Sequence, residues 1–235
     1  MQKKSNVEQV PTAKRMQVNE DNIKHVNLRE NQREYVHQIL KNQITFCSGP
    51  AGTSKTYTAC YTSLLLLAEK QVKKIILCKP IQESGEKLGF LPGDIADKIN
   101  PYMESYISNF KKIAGDELIE SLVQHNIIEF KPLAFMRGDT FDESFMISDE
   151  AQNAQWHALI LFITRMGKNS KVLLTGDISQ YDIAKDKVSF HKFIDIFSKV
   201  KGIGVHKFTS KDIVRSKILQ EIVDIYDQWK TENNL

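Results

Sequence analysis

The sequence predicts an α/β fold, a mostly parallel sheet covered by helices on both faces. Three observations lead there. Short apolar runs alternate with longer segments of helical periodicity along most of the chain. The runs are continuous rather than alternating with polar residues, as in strands buried on both faces. All six prolines fall at or before Pro132, so the later helical segments run uninterrupted.

Taken in order, residues 1–26 are polar, mixed in charge and without apolar periodicity, and read as a flexible N-terminal arm. Residues 27–235 then read as a single domain with a C-terminal helix. Leu28, Tyr35, Val36, Ile39 and Leu40 suit a helix. A strand over Ile44–Ser48 runs into Gly49-Pro50-Ala51-Gly52, and Lys55–Leu67 reads as the next helix. Ile75–Cys78 is a short strand halted by Pro80. A connection rich in glycine (Gly85, Gly89, Gly93) leads to a helix over Ile95–Lys112. Strands are expected at Ile127–Phe130, Phe145–Ser148 and Val172–Thr175, with a weaker one at Val205–Phe208. Helices are expected at Gln155–Arg165, Val188–Val200 and Arg215–Lys230. Phe190, Phe193 and Phe197 recur at helical spacing and mark a core face.

Lys and Arg number 32 against 29 Asp and Glu, a net charge of +3, which excludes a polybasic character. The basic residues are unevenly placed: Lys192, Lys199, Lys201, Lys207, Lys211, Arg215 and Lys217 face only Asp195 and Asp212. Such a run is either a solvated face or a track for nucleic-acid phosphates. No apolar run approaches the ~20 residues of a membrane-spanning helix, and the N-terminus lacks the apolar core of a secretory signal. Three cysteines with no close pair fit a reducing compartment, so a cytoplasmic protein is expected, in host cytoplasm if it is viral.

The strongest local signal is Gly49-Pro50-Ala51-Gly52-Thr53-Ser54-Lys55-Thr56, after a strand and opening a helix. It matches the phosphate loop G-x-x-x-x-G-K-[ST] except that Ser54 stands where the second glycine belongs. Small residues let backbone N–H groups curl around phosphates, and the helix N-terminus adds favourable dipole. Lys55 would reach the β- and γ-phosphates and the Thr56 hydroxyl would ligate Mg²⁺, which points to ATP. A Cβ at Ser54 costs most if that position needs positive φ. Phe145-Met146-Ile147-Ser148 then ends in Asp149 and Glu150. Asp149 would hold the metal, and Glu150 would polarise attacking water as general base. Gln180, in the polar loop after Val172–Thr175, is either a γ-phosphate sensor or an ordinary loop residue.

With these blocks in place, the chain resembles the PhoH-like ATPases, a family similar to the first RecA-type domain of superfamily-one helicases. The resemblance spans roughly residues 28–227. It rests on Gly49–Thr56, Lys79-Pro80, Glu83–Asp94, Asn100-Pro101-Tyr102, Glu129–Gly138, Ser148–Asn153, Phe162–Arg165, Gly176-Asp177 through Gln180, and Asp212–Arg215. It implies a RecA-like P-loop NTPase whose nucleotide site takes in Gln32 on the adenine edge, the loop from Gly49 to Thr56 and the adjoining Tyr57. It implies Arg215 as an arginine finger, serving its own subunit or a neighbour's, with Arg165 a second candidate. The activity implied is Mg²⁺-dependent ATP hydrolysis coupled to RNA or single-stranded DNA, helicase-like or remodelling. The alternative is a nucleotide-dependent switch on nucleic acid or protein with negligible hydrolysis. A motor of this type uses two such domains and this chain has room for one, so a homo-oligomer is expected, a ring being one form.

Overall fold

The computed structural model describes residues 18–80, 95–177, 190–214 and 217–232. Helix α1 (Glu30–Lys41) leads into strand β1 (Ile44–Ser48), then α2 (Lys55–Ala68), β2 (Lys74–Cys78), α3 (Ile95–Ala114) and α4 (Asp116–Gln124). There follow β3 (Ile128–Phe130), β4 (Ser144–Ser148), α5 (Trp156–Ile163), β5 (Lys171–Gly176), α6 (Phe190–Phe197), β6 (Ile203–Lys207) and α7 (Lys217–Glu232). The six strands pair in parallel in the order β3-β2-β4-β5-β1-β6. Strand β5 therefore lies between β1 and β4, with Ser48 beside Gly176 and Ser148 beside Leu174. The carboxyl ends of β1, β4 and β5 lie together at one end of the sheet, the edge where open α/β sheets bind ligands.

Alternation along the strands divides the core into two layers. Phe145 and Ile147 of β4 face Tyr35, Leu64, Phe110 and Ile119 from α1–α4. Met146 faces the opposite layer with Phe162 and Phe193 from α5 and α6. Phe193 packs edge-on against Phe46 at 5.7 Å and against Trp156 at 5.5 Å, which makes Trp156 a packing residue. The expected covering of both sheet faces is thus realised.

Two expectations need correction. The helix expected over Ile95–Lys112 runs to Ala114, and a further helix, α4, follows unforeseen. Gly115, at φ +83°, turns the chain so that Leu118, Ile119 and Leu122 enter the core. The arm expected over residues 1–26 is also too long. Val18 is buried in the α1–α4 layer, and the Lys24 N–H donates to the Ile113 carbonyl at 2.9 Å. Residues 1–17 lie outside the described residues.

Cys47, Cys60 and Cys78 are all buried and unpaired. Burial pushes the Cys47 and Cys78 thiols up to about 12 and raises Cys60 well above its ordinary value. Among the described residues, no helix is long and apolar enough to cross a membrane.

His206 of β6 is buried, stacked on Tyr35 at 5.1 Å and edge-on to Phe208 at 4.6 Å. Burial lowers its pKa, against the opposing pull of the Glu34 and Asp212 charges. The unfolded chain therefore binds the proton more tightly, and stability is full above the unfolded pKa near 6.5. It falls as pH drops through that value toward the lower folded pKa. His206→Phe is expected to flatten the fall in melting temperature between about pH 7 and pH 5; an unchanged slope would contradict this.

Candidate active site

Strand β1 delivers Gly49 to the sheet edge, where its N–H donates to the Gly176 carbonyl at 3.1 Å. A Cβ on Gly49 would lie 2.6 Å from the Phe208 Cβ, so only glycine fits the approach of the segment after β6. The Thr53 hydroxyl donates to the Pro50 carbonyl at 3.0 Å and tightens the loop. Lys55 folds over it, its Nζ donating to the carbonyls of Gly49 at 2.6 Å and Pro50 at 2.9 Å. Tyr57 is half-buried and packs against the α1–α4 layer.

Ser54 takes the left-handed conformation, φ +64° and ψ 28°, directly before α2. The loop thus keeps the bend that glycine makes easily, with a residue for which that bend is strained. Left-handed backbone costs a non-glycine residue about 1–2 kcal/mol, and the freedom glycine gains on unfolding returns about 0.5–1 kcal/mol. Ser54→Gly is therefore expected to stabilise the fold by about 0.5–1 kcal/mol, a rise of about 1–4 °C in melting temperature. A lowered melting temperature would show that the bend is not the strained element.

Opposite the loop, β4 presents Asp149, which is 7% exposed. Its Oδ2 accepts from the Thr56 hydroxyl at 2.7 Å, while Oδ1 accepts from the Thr175 hydroxyl and, at 3.0 Å, from the Glu150 N–H. Glu150 is half-buried and left-handed, φ +56°. Its Oε2 accepts from Gln152 Nε2 at 2.6 Å, and Gln152 Oε1 accepts the Asp177 N–H at 2.9 Å. The Asp177 carboxylate accepts the Ala51 N–H at 3.1 Å.

Lys55, Thr56, Asp149 and Glu150 are thus brought to one edge, as their motifs require. Thr175 lies outside the motif blocks, and Gln152 and Asp177 lie within them without a role assigned from the sequence; all three are hydrogen-bonded into the same edge. Thr56 and Asp149 put a hydroxyl and a carboxylate oxygen side by side, the hard donors Mg²⁺ prefers alongside phosphate and water oxygens.

Gln32 is buried in the first turn of α1, its Oε1 accepting the Arg29 N–H at 2.9 Å. Its amide oxygen serves as a helix cap, which leaves Nε2 as the group it can offer a base. An open cleft of about 710 Å³ lies beside this turn, lined by Arg29, Asn31, Arg33, Glu34, His37 and Asp212 among others. Burial works against the Asp212 charge, yet hydrogen bonds from Thr209 and Asn31 hold its carboxyl below the ordinary value. Arg165 donates to the carbonyls of Leu161 at 3.3 Å and Asp139 at 3.2 Å, bonds that tie α5 to the loop before β4. Gln180, Arg215 and the Gly85–Asp94 block lie outside the described residues. Val214, immediately before Arg215, donates its N–H to the Gly52 carbonyl at 2.8 Å.

Residues 23–227 match the family model described as PhoH-like protein. A PhoH-like protein of Mycobacterium tuberculosis (strain ATCC 25618 / H37Rv) is 41% identical over 201 residues, covering 85% of this chain and 57% of the relative. A PhoH-like protein of Bacillus subtilis (strain 168) is 39% identical over 198 residues, covering 84% and 62%. Protein PhoH of Escherichia coli (strain K12) is 34% identical over 200 residues, covering 84% and 56%. The chain thus spans 56 to 62% of the length of these relatives. Among solved structures, the large terminase of a thermophilic bacteriophage superposes with a TM-score of 0.56 at 10% identity, covering 84% of this chain and 50% of that one. The SWI2/SNF2 ATPase core of Sulfolobus solfataricus, solved with dsDNA, gives 0.50 at 13% identity, covering 84% and 47%. The fold is RecA-like.

Proposed function

The chain belongs to the PhoH-like protein family, and on that premise we propose that it is a Mg²⁺-dependent ATPase acting on RNA or single-stranded DNA. The observation that carries this reading is the Thr56–Asp149 hydrogen bond of 2.7 Å with Glu150 beside it. It joins the phosphate loop to a metal-holding acid and a carboxylate suited to accept a proton from water. Thr56 and Asp149 would hold Mg²⁺, which when bound neutralises charge on the phosphate oxygens. The loop N–H groups and Lys55 bind and orient the triphosphate. Gln32 would offer the adenine edge a donor, and Gln180 would sense the γ-phosphate. Arg215 would act as the arginine finger. The bond from Val214 to Gly52 ties the preceding residue to the loop of its own subunit, which favours action within that subunit.

Lys192 on α6, Lys199 and Lys201 before β6, Lys207 at its end and Lys211 after it are all exposed, cations suited to the phosphates of a polyanionic strand. Helix α7 exposes Ile218, Ile222 and Ile225 by more than half, an apolar row that favours a homo-oligomer. The switch reading draws on Ser54; that Ser54 adopts the left-handed bend before α2 supports the ATPase reading over it.

The test is Mg²⁺-dependent phosphate release from ATP, with and without single-stranded RNA and DNA. Stimulation by one of them identifies the track. ATP binding without turnover above background would favour the switch.

A further inference from the structure

We propose that Gln152 is a positioning residue that fixes the Glu150 carboxylate and couples it to the phosphate loop. The inference rests on the ATPase reading above, with Glu150 as general base. Gln152 uses both ends of its amide. Nε2 donates to Glu150 Oε2 at 2.6 Å, and Oε1 accepts the Asp177 N–H at 2.9 Å. An amide provides a donor and an acceptor at once, where a carboxylate only accepts and an aliphatic chain does neither. Asp177 continues the chain, since its carboxylate accepts the Ala51 N–H at 3.1 Å. Three hydrogen bonds thus run from the phosphate loop, through the residue after β5, to the group that would activate water.

Two features of the backbone keep this path open. Gly176 closes β5, and a Cβ there would lie 2.6 Å from Gln152 Oε1, so the missing side chain is what lets the amide reach the strand end. Glu150 is held left-handed at φ +56°, a conformation a residue with a side chain keeps only when its surroundings enforce it. The Glu150 N–H is bonded to Asp149 Oδ1 at 3.0 Å and its carbonyl to the Asn153 N–H at 2.9 Å. Those bonds fix the backbone, and the Gln152 amide fixes the carboxylate. A base free to rotate would spend much of its time away from the attacking water, and misplacement by about 1 Å can cost about 100-fold in rate.

Gln152→Glu and Gln152→Leu separate this role from simple support of the loop. Glutamate keeps the shape and the acceptor for the Asp177 N–H but sets a second carboxylate against Glu150. Leucine keeps the bulk and removes both bonds. The quantities to measure are kcat for phosphate release, the Kd of a fluorescent ATP analogue and the melting temperature, with Lys55→Ala alongside. The expected result is a fall of about 10- to 100-fold in kcat for both variants with Kd within about twofold, and a native-like melting temperature for Gln152→Glu. A native kcat in Gln152→Glu overturns the inference alone, as does a loss of nucleotide affinity matching the loss of rate. Native turnover no higher than that of Lys55→Ala overturns the ATPase reading and takes the inference with it.

Discussion

Lys55→Ala is expected to reduce ATP-dependent phosphate release by about 100- to 1000-fold, the usual consequence of removing a preorganised charge from phosphoryl-transfer chemistry. Affinity falls with it. The Lys55 ammonium donates to the carbonyls of Gly49 and Pro50, so alanine removes both the phosphate contact and an internal brace of the loop. Two carbonyls that shared a cation are left to water or to a rearranged loop. A drop of roughly 10-fold in nucleotide affinity, about 1.4 kcal/mol, is the expected companion of the lost rate. Titration with a fluorescent ATP analogue and a phosphate-release assay measure the two losses separately. Native turnover in this variant would remove Gly49–Thr56 as the nucleotide site.

Glu150→Gln is expected to act on rate alone. The amide matches the carboxylate in size, and its oxygen can still accept from Gln152, so the left-handed turn keeps its bonds. What disappears is the capacity to take a proton from water, a role that contributes about 100- to 10,000-fold. The variant should bind ATP with native affinity and fail to release phosphate, in contrast to Lys55→Ala. Single-turnover kinetics under saturating ATP reads the difference directly. Loss of binding in Glu150→Gln would assign this carboxylate to support of the nucleotide instead of to the chemistry.

How much of this was legible in the sequence depends on the scale at which the residues act. Strand β1 and the start of α2 fall where expected because apolar runs and the phosphate loop are local patterns. Strands β2, β4 and β5 each extend by one or two residues through polar positions such as Lys74, Ser144 and Lys171, whose backbones pair although their side chains carry no apolar signal. Strand β6 begins at Ile203, earlier than expected, because pairing with β1 overrides the low strand propensity of Gly204. Helix α4 lies beyond the expected Ile95–Lys112 helix because Gly115 interrupts the pattern, although Leu118, Ile119 and Leu122 carry helical spacing after it. At the site, Lys55, Thr56, Asp149 and Glu150 are visible because their chemistry is encoded by short motifs. Thr175 and Asp177 become partners of Asp149 and Ala51 only through the placement of β5 between β1 and β4. No spacing along the chain announces that neighbourhood. The strain at Ser54 was visible only as a condition, and the backbone supplied its sign.

The three buried cysteines give the chain its own chemical clock. Only a thiolate attacks a disulfide reagent, and these sulfurs are both walled off and held protonated. Cys47 sits in the strand that feeds the phosphate loop, Cys60 in the helix that follows it, and Cys78 at the end of β2. Each can react only after its own stretch of the sheet and its covering helices have parted. Labelling rates therefore count openings of β1, α2 and β2 separately, with no tag or engineered probe. While the sheet stays closed, the folded chain is indifferent to oxidants that scavenge exposed thiols.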